Sequence, residues 1–417
     1  MNYLKEQDPQ IWISLQKEIH RQNTTLEMIP SENFVSPAVL EALGSPLTNK
    51  YAEGYSGQRY YGGNQFIDEI ETLAIERVKQ LFGAEHANVQ PLSGSPANLC
   101  AYFALLNPGD TILAMSLNQG GHLTHGHPVS KISKIFNFVH YNVKDNGELD
   151  YENIKELAIK HQAKLILAGY SAYSREIDYQ KIKNIADELG IYTMADIAHP
   201  AGLIAAGLLN NPVPIFDVVT STTHKTLRGP RGGIILCKEK FAKQVDKAVF
   251  PGLQGGPHEN NIAAKAVAFK EALAPEFKIY AQNILDNAKI LSEELAAGGI
   301  KICFGKTENH LMLCDIRDFG INGKIAQTAL EEAGITVNMN MIPNDPGTPL
   351  APSGIRLGTP AITTRGFGKS EMPIIAQLIL TVLKNPNKAD ILEQVKQQVE
   401  ELCLAHPLVY PHENNHS

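Results

Sequence analysis

No run of residues in this sequence is long and apolar enough to cross a bilayer as a helix, so a bilayer-spanning helix is excluded. Met1 to Gln10 carries Lys5, Glu6 and Asp8 with no apolar run behind them, and no secretory signal is predicted. Cysteine is scarce. Cys100, Cys237, Cys303, Cys314 and Cys403 are odd in number and lack a paired C-x-x-C, which argues against a disulfide framework or a zinc knuckle. Free thiols in a reducing cytoplasm are the expectation. Charge of one sign is also lacking. The net charge of -7 is spread along the chain, which disfavours nucleic acid as the main partner. Internal repeats and low-complexity linkers are absent.

What is present is an ordinary globular balance, 43% hydrophobic and 19% charged, over 417 residues. That length exceeds what one core usually serves and predicts two domains. Phe66 to Leu81 recurs at helical spacing, and Gly83 can end that helix. Ala87 to Gln90 reads as a short strand, Ser93-Gly94-Ser95 as a turn, and Pro96 to Leu106 as a helix. Strand-like runs follow at Thr111–Met115, Ile135–Tyr141, Leu165–Ala168, Ile191–Ala195, Val218–Thr220 and Gly233–Leu236. Helical patterns such as Tyr151–Lys160 and Tyr179–Leu189 separate several of them. This alternation predicts an α/β fold with a mostly parallel sheet covered on both faces, its ligands at the carboxyl ends of the strands.

After about Pro275 the texture changes to a smaller α+β domain. It comprises a long helix at Phe277–Ala297, strands at His310–Ile316 and Ile335–Val337, and helices at Lys324–Ala333, Met372–Leu383 and Ile391–Leu404. The expected division is an N-terminal helical arm (1–25), a large domain (26–275) and a small one (276–417), with a loose tail from His406 to Ser417.

Three segments carry candidate chemistry. Ser93-Gly94-Ser95 joins a strand to a helix, where free N–H groups, a positive dipole end and two hydroxyls suit a phosphate. The same residues read equally as an ordinary cap, with Ser95 capping and Pro96 in the first helical position. Asp196, straight after a strand, suits a carboxylate beside a pyridine nitrogen, or else caps a helix. Lys225, in Ser221-Thr222-Thr223-His224-Lys225-Thr226, can form a Schiff base if burial lowers its pKa, whereas most lysines lie at the surface. Arg228 and Arg231 add two cations in a glycine-rich loop. A phosphate cup, a strand-end acid and a strand-end lysine, in that order, suit a pyridoxal phosphate site.

With these residues in hand, the chain resembles the serine hydroxymethyltransferases, of the bacterial type, which are fold-type I pyridoxal phosphate enzymes. The likeness runs from about Glu27 to the last helix. It rests on Ser31-Glu32-Asn33, Leu47 to Tyr55 (LTNKYAEGY), Arg59 to Gly63 (RYYGG), Gly120 to Gly126 (GGHLTHG), Thr222 to Leu227 (TTHKTL) and Ser353 to Ala361 (SGIRLGTPA). The resemblance implies that Lys225 is the Schiff-base lysine, that Asp196 partners the pyridine nitrogen and that His122 stacks on the ring. Ser171 and His199 would bond around the phenolic oxygen and the substrate. Ser93, Gly94, Ser95 and His224 would hold the phosphate, with Tyr51 and Gly256 from a neighbouring subunit of a homodimer. Arg356 would clamp the substrate carboxylate with Ser31. Glu53, Tyr61 and Thr222 would complete the catalytic set, and Leu117, Gly121, Leu123 and Asn340 would line a tetrahydrofolate pocket. The implied reaction moves the hydroxymethyl group of serine to tetrahydrofolate and leaves glycine.

Four residues depart from the family pattern. Pro96 stands where glutamine is expected, Gln119 where histidine is, Pro200 where valine or a small residue is, and Arg228 where a small residue is. Three rivals stand beside this reading. A zinc site at His122, His125 and His127, with His140 further on, lacks the i, i+4 helical pair, and Gly126 and Pro128 oppose a helix there. A folate-independent aldolase would use the same cofactor. A binding protein that kept the fold without catalysis would not need Lys225, Asp196 and Arg356 together.

Overall fold

The computed structural model describes residues 3–410. Its centre is a seven-stranded sheet. In chain order the strands are β1 (His86–Asn88), β2 (Thr111–Met115), β3 (Asn137–Tyr141), β4 (Leu165–Gly169), β5 (Tyr192–Asp196), β6 (Val218–Thr222) and β7 (Gly233–Cys237). Their order across the sheet is β1-β7-β6-β5-β4-β2-β3. β7 is antiparallel to both of its neighbours, and the other pairings are parallel. The predicted α/β class and mostly parallel sheet are therefore observed.

Both faces are buried, as continuous apolar strands require. Leu165 and Leu167 of β4 enter one core, and Ile166 and Ala168 enter the other. Helix Gln65–Phe82 ends at Gly83, whose φ of +69 gives the left-handed cap that glycine adopts without strain.

A second core holds an antiparallel sheet of β8 (Lys301–Ile302), β9 (Leu311–Asp315), β10 (Asn338–Asn340) and β11 (Gly354–Gly358), ordered β8-β9-β11-β10. The long helix Pro275–Ala297 spans both cores: Phe277, Tyr280, Ala281 and Ile284 pack in the first, and Ala288, Leu291 and Leu295 in the second. Leu26 and Met28 also pack in the second core, because Leu26–Glu27 pairs in parallel with Ile335–Thr336. The expected large domain (26–275) grouped these residues with the first core instead.

The chain ends meet on Arg365. Its guanidinium is buried and donates to the carbonyls of Gln22, Asn23, Thr25, Cys403 and His406. Leu408 N–H donates to Asn23 Oδ1 at 2.8 Å, and Tyr410 bonds Gln22. The tail was expected to be loose from His406. Residues 406–410 are instead held, and the rest of it lies outside the described residues.

Candidate active site

The carboxyl ends of β1, β2, β4, β5 and β6 converge on one cavity of about 410 Å³. Fifteen residues expected in the site line it: Ser31, Ser93, Gly94, Ser95, Leu117, Gly121, His122, Leu123, Ser171, Asp196, His199, Thr222, His224, Lys225 and Arg356. Glu32, Tyr170, Ala198 and Arg231 complete the wall.

The phosphate-type end is built by a helix that starts earlier than predicted. It spans Gly94–Leu105 with Ser93, extended at φ −164, as its N-cap. The Ser93 side chain makes no capping bond, so Ser93 and Ser95 are not the ordinary cap considered above. Gly94 and Ser95 instead occupy the first turn, whose N–H groups have no helical partner. Pro96 also lies in that turn and contributes no N–H. A Cβ at Gly94 would lie 2.7 Å from Thr222 Cγ2, so glycine lets the helix start abut the end of β6.

Asp196 ends β5 and is not a helix cap. Its Oδ1 accepts from Ala198 N–H at 3.0 Å. Its Oδ2 accepts from Asn98 Nδ2 at 2.8 Å and lies 3.1 Å from His125 Nε2. Burial raises the Asp196 pKa, but the His125 bond and the nearby positive charge outweigh it and hold the carboxylate far below its usual range. Asn98 is fixed in turn, accepting from Thr220 Oγ1 at 2.6 Å.

Lys225 is only 8% exposed. Burial lowers its amine to about 8, against the pull of Asp196. The loop that carries it is anchored by Asn33 Nδ2 on the Lys225 carbonyl at 2.8 Å, and by Thr226 Oγ1 on the His199 carbonyl at 2.7 Å. Burial lowers His122 to about 4 and His224 to about 3, so both rings are neutral. On the far side, Arg356 of β11 donates to the Ser171 carbonyl and to Asn338 Oδ1 (3.1 Å), which ties the second core to the cavity rim.

Five expected site residues do not line the cavity. Tyr51, Glu53, Tyr61 and Gly256 gather elsewhere. Tyr51 donates to Glu53 Oε1 at 3.2 Å and packs edge-on to Tyr61 at 5.0 Å, and its ring would lie 3.3 Å from a Cβ at Gly256. Tyr51 and Tyr61 are exposed, at 54% and 48%, and Glu53 and Gly256 are half-buried. Asn340 sits in β10 and bonds the Met341 carbonyl at 2.6 Å.

The departures have definite places. Gln119 is buried, with its Oε1 unpartnered among the described residues. Pro200 caps the short helix Ala201–Ala205. Arg228, at φ +57, stacks over Tyr280 at 4.6 Å, behind the cavity. The histidine trio weighed for zinc does not converge. His127 Nδ1 accepts from Val129 N–H at 3.3 Å, and His140 bonds the His125 carbonyl at 3.0 Å. His122, His125 and Asp196 do bring ligand atoms within 4.8 Å of one another. Those atoms are engaged locally: His122 Nδ1 with Thr124 Oγ1 at 2.7 Å, His125 Nε2 with Asp196.

The family model of serine hydroxymethyltransferase matches residues 4–379.

The chain belongs to the serine hydroxymethyltransferase family. It is therefore a fold-type I enzyme that interconverts serine and glycine, with tetrahydrofolate as co-substrate and pyridoxal phosphate as cofactor. The residues present fit that cofactor. A buried amine held near neutrality, an ionised carboxylate, a flat neutral imidazole and a helix N-terminus beside Arg231 and His224 surround one cavity. Asn98, which holds Asp196, was not singled out as a site residue, and His125, which also holds it, was considered only as a zinc ligand. The signal for Asn98 was its spacing: it lies one turn along the helix from Ser95, on the same face.

Proposed function

We propose that Lys225 is the residue that carries pyridoxal phosphate and that the cavity around it is where serine and glycine are exchanged. When bound, the cofactor supplies an aldehyde for amines and a cationic ring that draws electrons from the α-carbon. The observation that carries this reading is the buried Lys225 amine at about 8, within one cavity that also holds Asp196 and Arg356. An amine in that range is neutral often enough to react with an aldehyde, and an ordinary lysine is not.

The remaining roles follow from place and charge. Asp196, ionised at neutral pH, holds a proton on the ring nitrogen. His122 lays an uncharged ring against the cofactor face. Ser93, Gly94, Ser95 and His224 bind the phosphate, with Thr222 at the base of the same end. Ser171 and His199 hydrogen-bond around the phenolic oxygen. Arg356 offers a guanidinium fork to the substrate carboxylate, assisted by Ser31. Leu117, Gly121 and Leu123 form the folate side of the mouth, and Asn340 approaches it from the second core.

The working unit is a homodimer. Tyr51, Glu53, Tyr61 and Gly256 are assigned to the cavity of a second copy, where Glu53 moves a proton near the substrate hydroxyl and Tyr61 assists exchange. The exposure of Tyr51 and Tyr61, and the absence of all four from the cavity wall of their own chain, support that assignment. Residues 1–25 serve as an arm, 26–275 as the cofactor domain and 276–417 as the smaller domain. The free, buried thiols are consistent with a cytoplasmic enzyme. Aldol cleavage of β-hydroxy amino acids without folate is a side activity, since the substrate end of the cavity needs none of the folate-side residues.

Lys225→Gln tests the central role. Serine turnover with tetrahydrofolate should fall by roughly 10⁴-fold or more, as for loss of a covalent catalyst. The visible absorbance of added pyridoxal phosphate should resemble that of the free aldehyde. Normal folate-dependent turnover in that variant would remove Lys225 from the mechanism.

A further inference from the structure

Behind His199 lies an imidazole that none of these roles uses. His310 immediately precedes β9 and is fully buried. Its ring lies edge to edge with that of His199, with centroids 5.4 Å apart and planes 24° from parallel. His310 Nε2 lies 3.2 Å from His199 Nδ1. The other nitrogen of His310, Nδ1, is buried with no partner among the described residues.

Both rings are neutral. Burial drives His310 to about 3 and His199 well below its ordinary value, and the charges of Lys225 and Arg356 push the same way. Two neutral imidazoles can share this contact in two ways. If His199 donated from Nδ1, the proton of His310 would sit on its Nδ1 as a buried N–H without an acceptor. If His310 donates from Nε2, its Nδ1 carries only a bare lone pair. Orphaned buried N–H groups are rarer than under-used acceptors, so the second arrangement is favoured.

We propose that His310 is a positioning residue that fixes His199 as the tautomer with its proton on Nε2. His199 lines the cavity and its Nδ1 is occupied, so the Nε2 proton is the one available to a ligand. His199 is then a hydrogen-bond donor for an anionic oxygen and cannot act there as a base. The segment that delivers His310 is itself registered on the cavity rim. Asn309 Nδ2 donates to Tyr170 Oη at 3.1 Å and to the Tyr173 carbonyl at 3.2 Å, on either side of Ser171. The second core thus sets the protonation pattern of a residue in the first.

The tautomer stands on the two rings alone; only the identity of the bonded oxygen rests on the cofactor reading above. The test is ¹⁵N NMR of the full-length protein labelled at histidine, with and without pyridoxal phosphate. His199 should carry its proton on Nε2 in both states, and an Nδ1-protonated His199 overturns the proposal. His310→Gln keeps an N–H near the Nε2 position and should preserve both the tautomer and kcat. His310→Leu should give mixed tautomers and lower kcat by about tenfold or more with serine KM nearly unchanged, the scale of losing one aligned donor. A Leu variant that keeps the single tautomer also overturns it. If that variant does not fold, the wild-type spectrum and the Gln variant decide. Failure of Lys225 to take up the cofactor would leave the tautomer result intact, so the two readings fail separately.

Discussion

The wall around Lys225 and the loop around Glu53 use similar side chains, yet the chain holds them differently. Asp196 is gripped by Asn98, His125 and a backbone N–H, and Lys225 is 8% exposed. Glu53 receives one hydroxyl, that of a half-exposed Tyr51. The backbone beneath Glu53 is nonetheless rigid. Arg59 donates to the carbonyls of Ala52 and Gly54 at 2.8 and 2.9 Å while paired with Asp68 and the buried Glu71. Glu53 thus has a firm base and a lightly held tip, whereas the Lys225 wall is ordered throughout by its own chain. Electrostatic preorganisation costs burial, and at Asp196 and Lys225 burial and shifted pKa values coincide.

The comparison breaks most sharply if both groups act within one chain. Lys225→Gln and Glu53→Gln variants should each be nearly inactive. Under the proposed shared-site dimer, refolding them together in equal amounts should recover about a quarter of wild-type activity, because half the dimers would be mixed and each would hold one intact site. No recovery, with mixed dimers verified, would place Glu53 and Lys225 in the same chain's site.

A second measurement sharpens the buried side. Lys225 reacts only as the neutral amine, and its pKa of about 8 lies below the ordinary lysine value. Uptake of pyridoxal phosphate by the cofactor-free protein should therefore rise about tenfold per pH unit below pH 8 and level off above it. A rise continuing past pH 10 would mean that burial does not tune this amine.

The smallest effect concerns Pro96. It lies in the first turn of the helix that begins at Gly94, where its missing N–H breaks no helical bond but leaves the phosphate end one donor short. Pro96→Gln should tighten cofactor binding by up to about tenfold, one charge-assisted hydrogen bond. Unchanged affinity would show that the remaining donors saturate the site.

Much of this was legible in the sequence, because strand–helix alternation marks which sheet edge presents ligands. Asp196 and Lys225 were found at strand ends for that reason. The change of texture near residue 275 coincides with the start of a helix that packs in both cores. The start of the helix at Gly94 was misread because glycine and serine look like a turn, although the extended Ser93 is what sets the cap. Helix Glu259–Ala272 was missed because much of its buried face is alanine, which gives little periodic contrast. His310 was out of reach for a different cause. Its partner His199 lies 111 residues away, and no local period encodes such a contact.

Arg365 has a consequence for anyone who alters the ends of this chain. A guanidinium has five N–H bonds, and here all five point to carbonyls, three near the end of the first long helix and two near the end of the last one. The Cys403 carbonyl lies within the last helix, Ala389–Leu404, and the His406 carbonyl just beyond it, so trimming either end would strand donors that the other end cannot reach. Damage at one end should therefore register as proteolytic sensitivity at the other, and lysine, with three donors, is no substitute for the arginine that joins them.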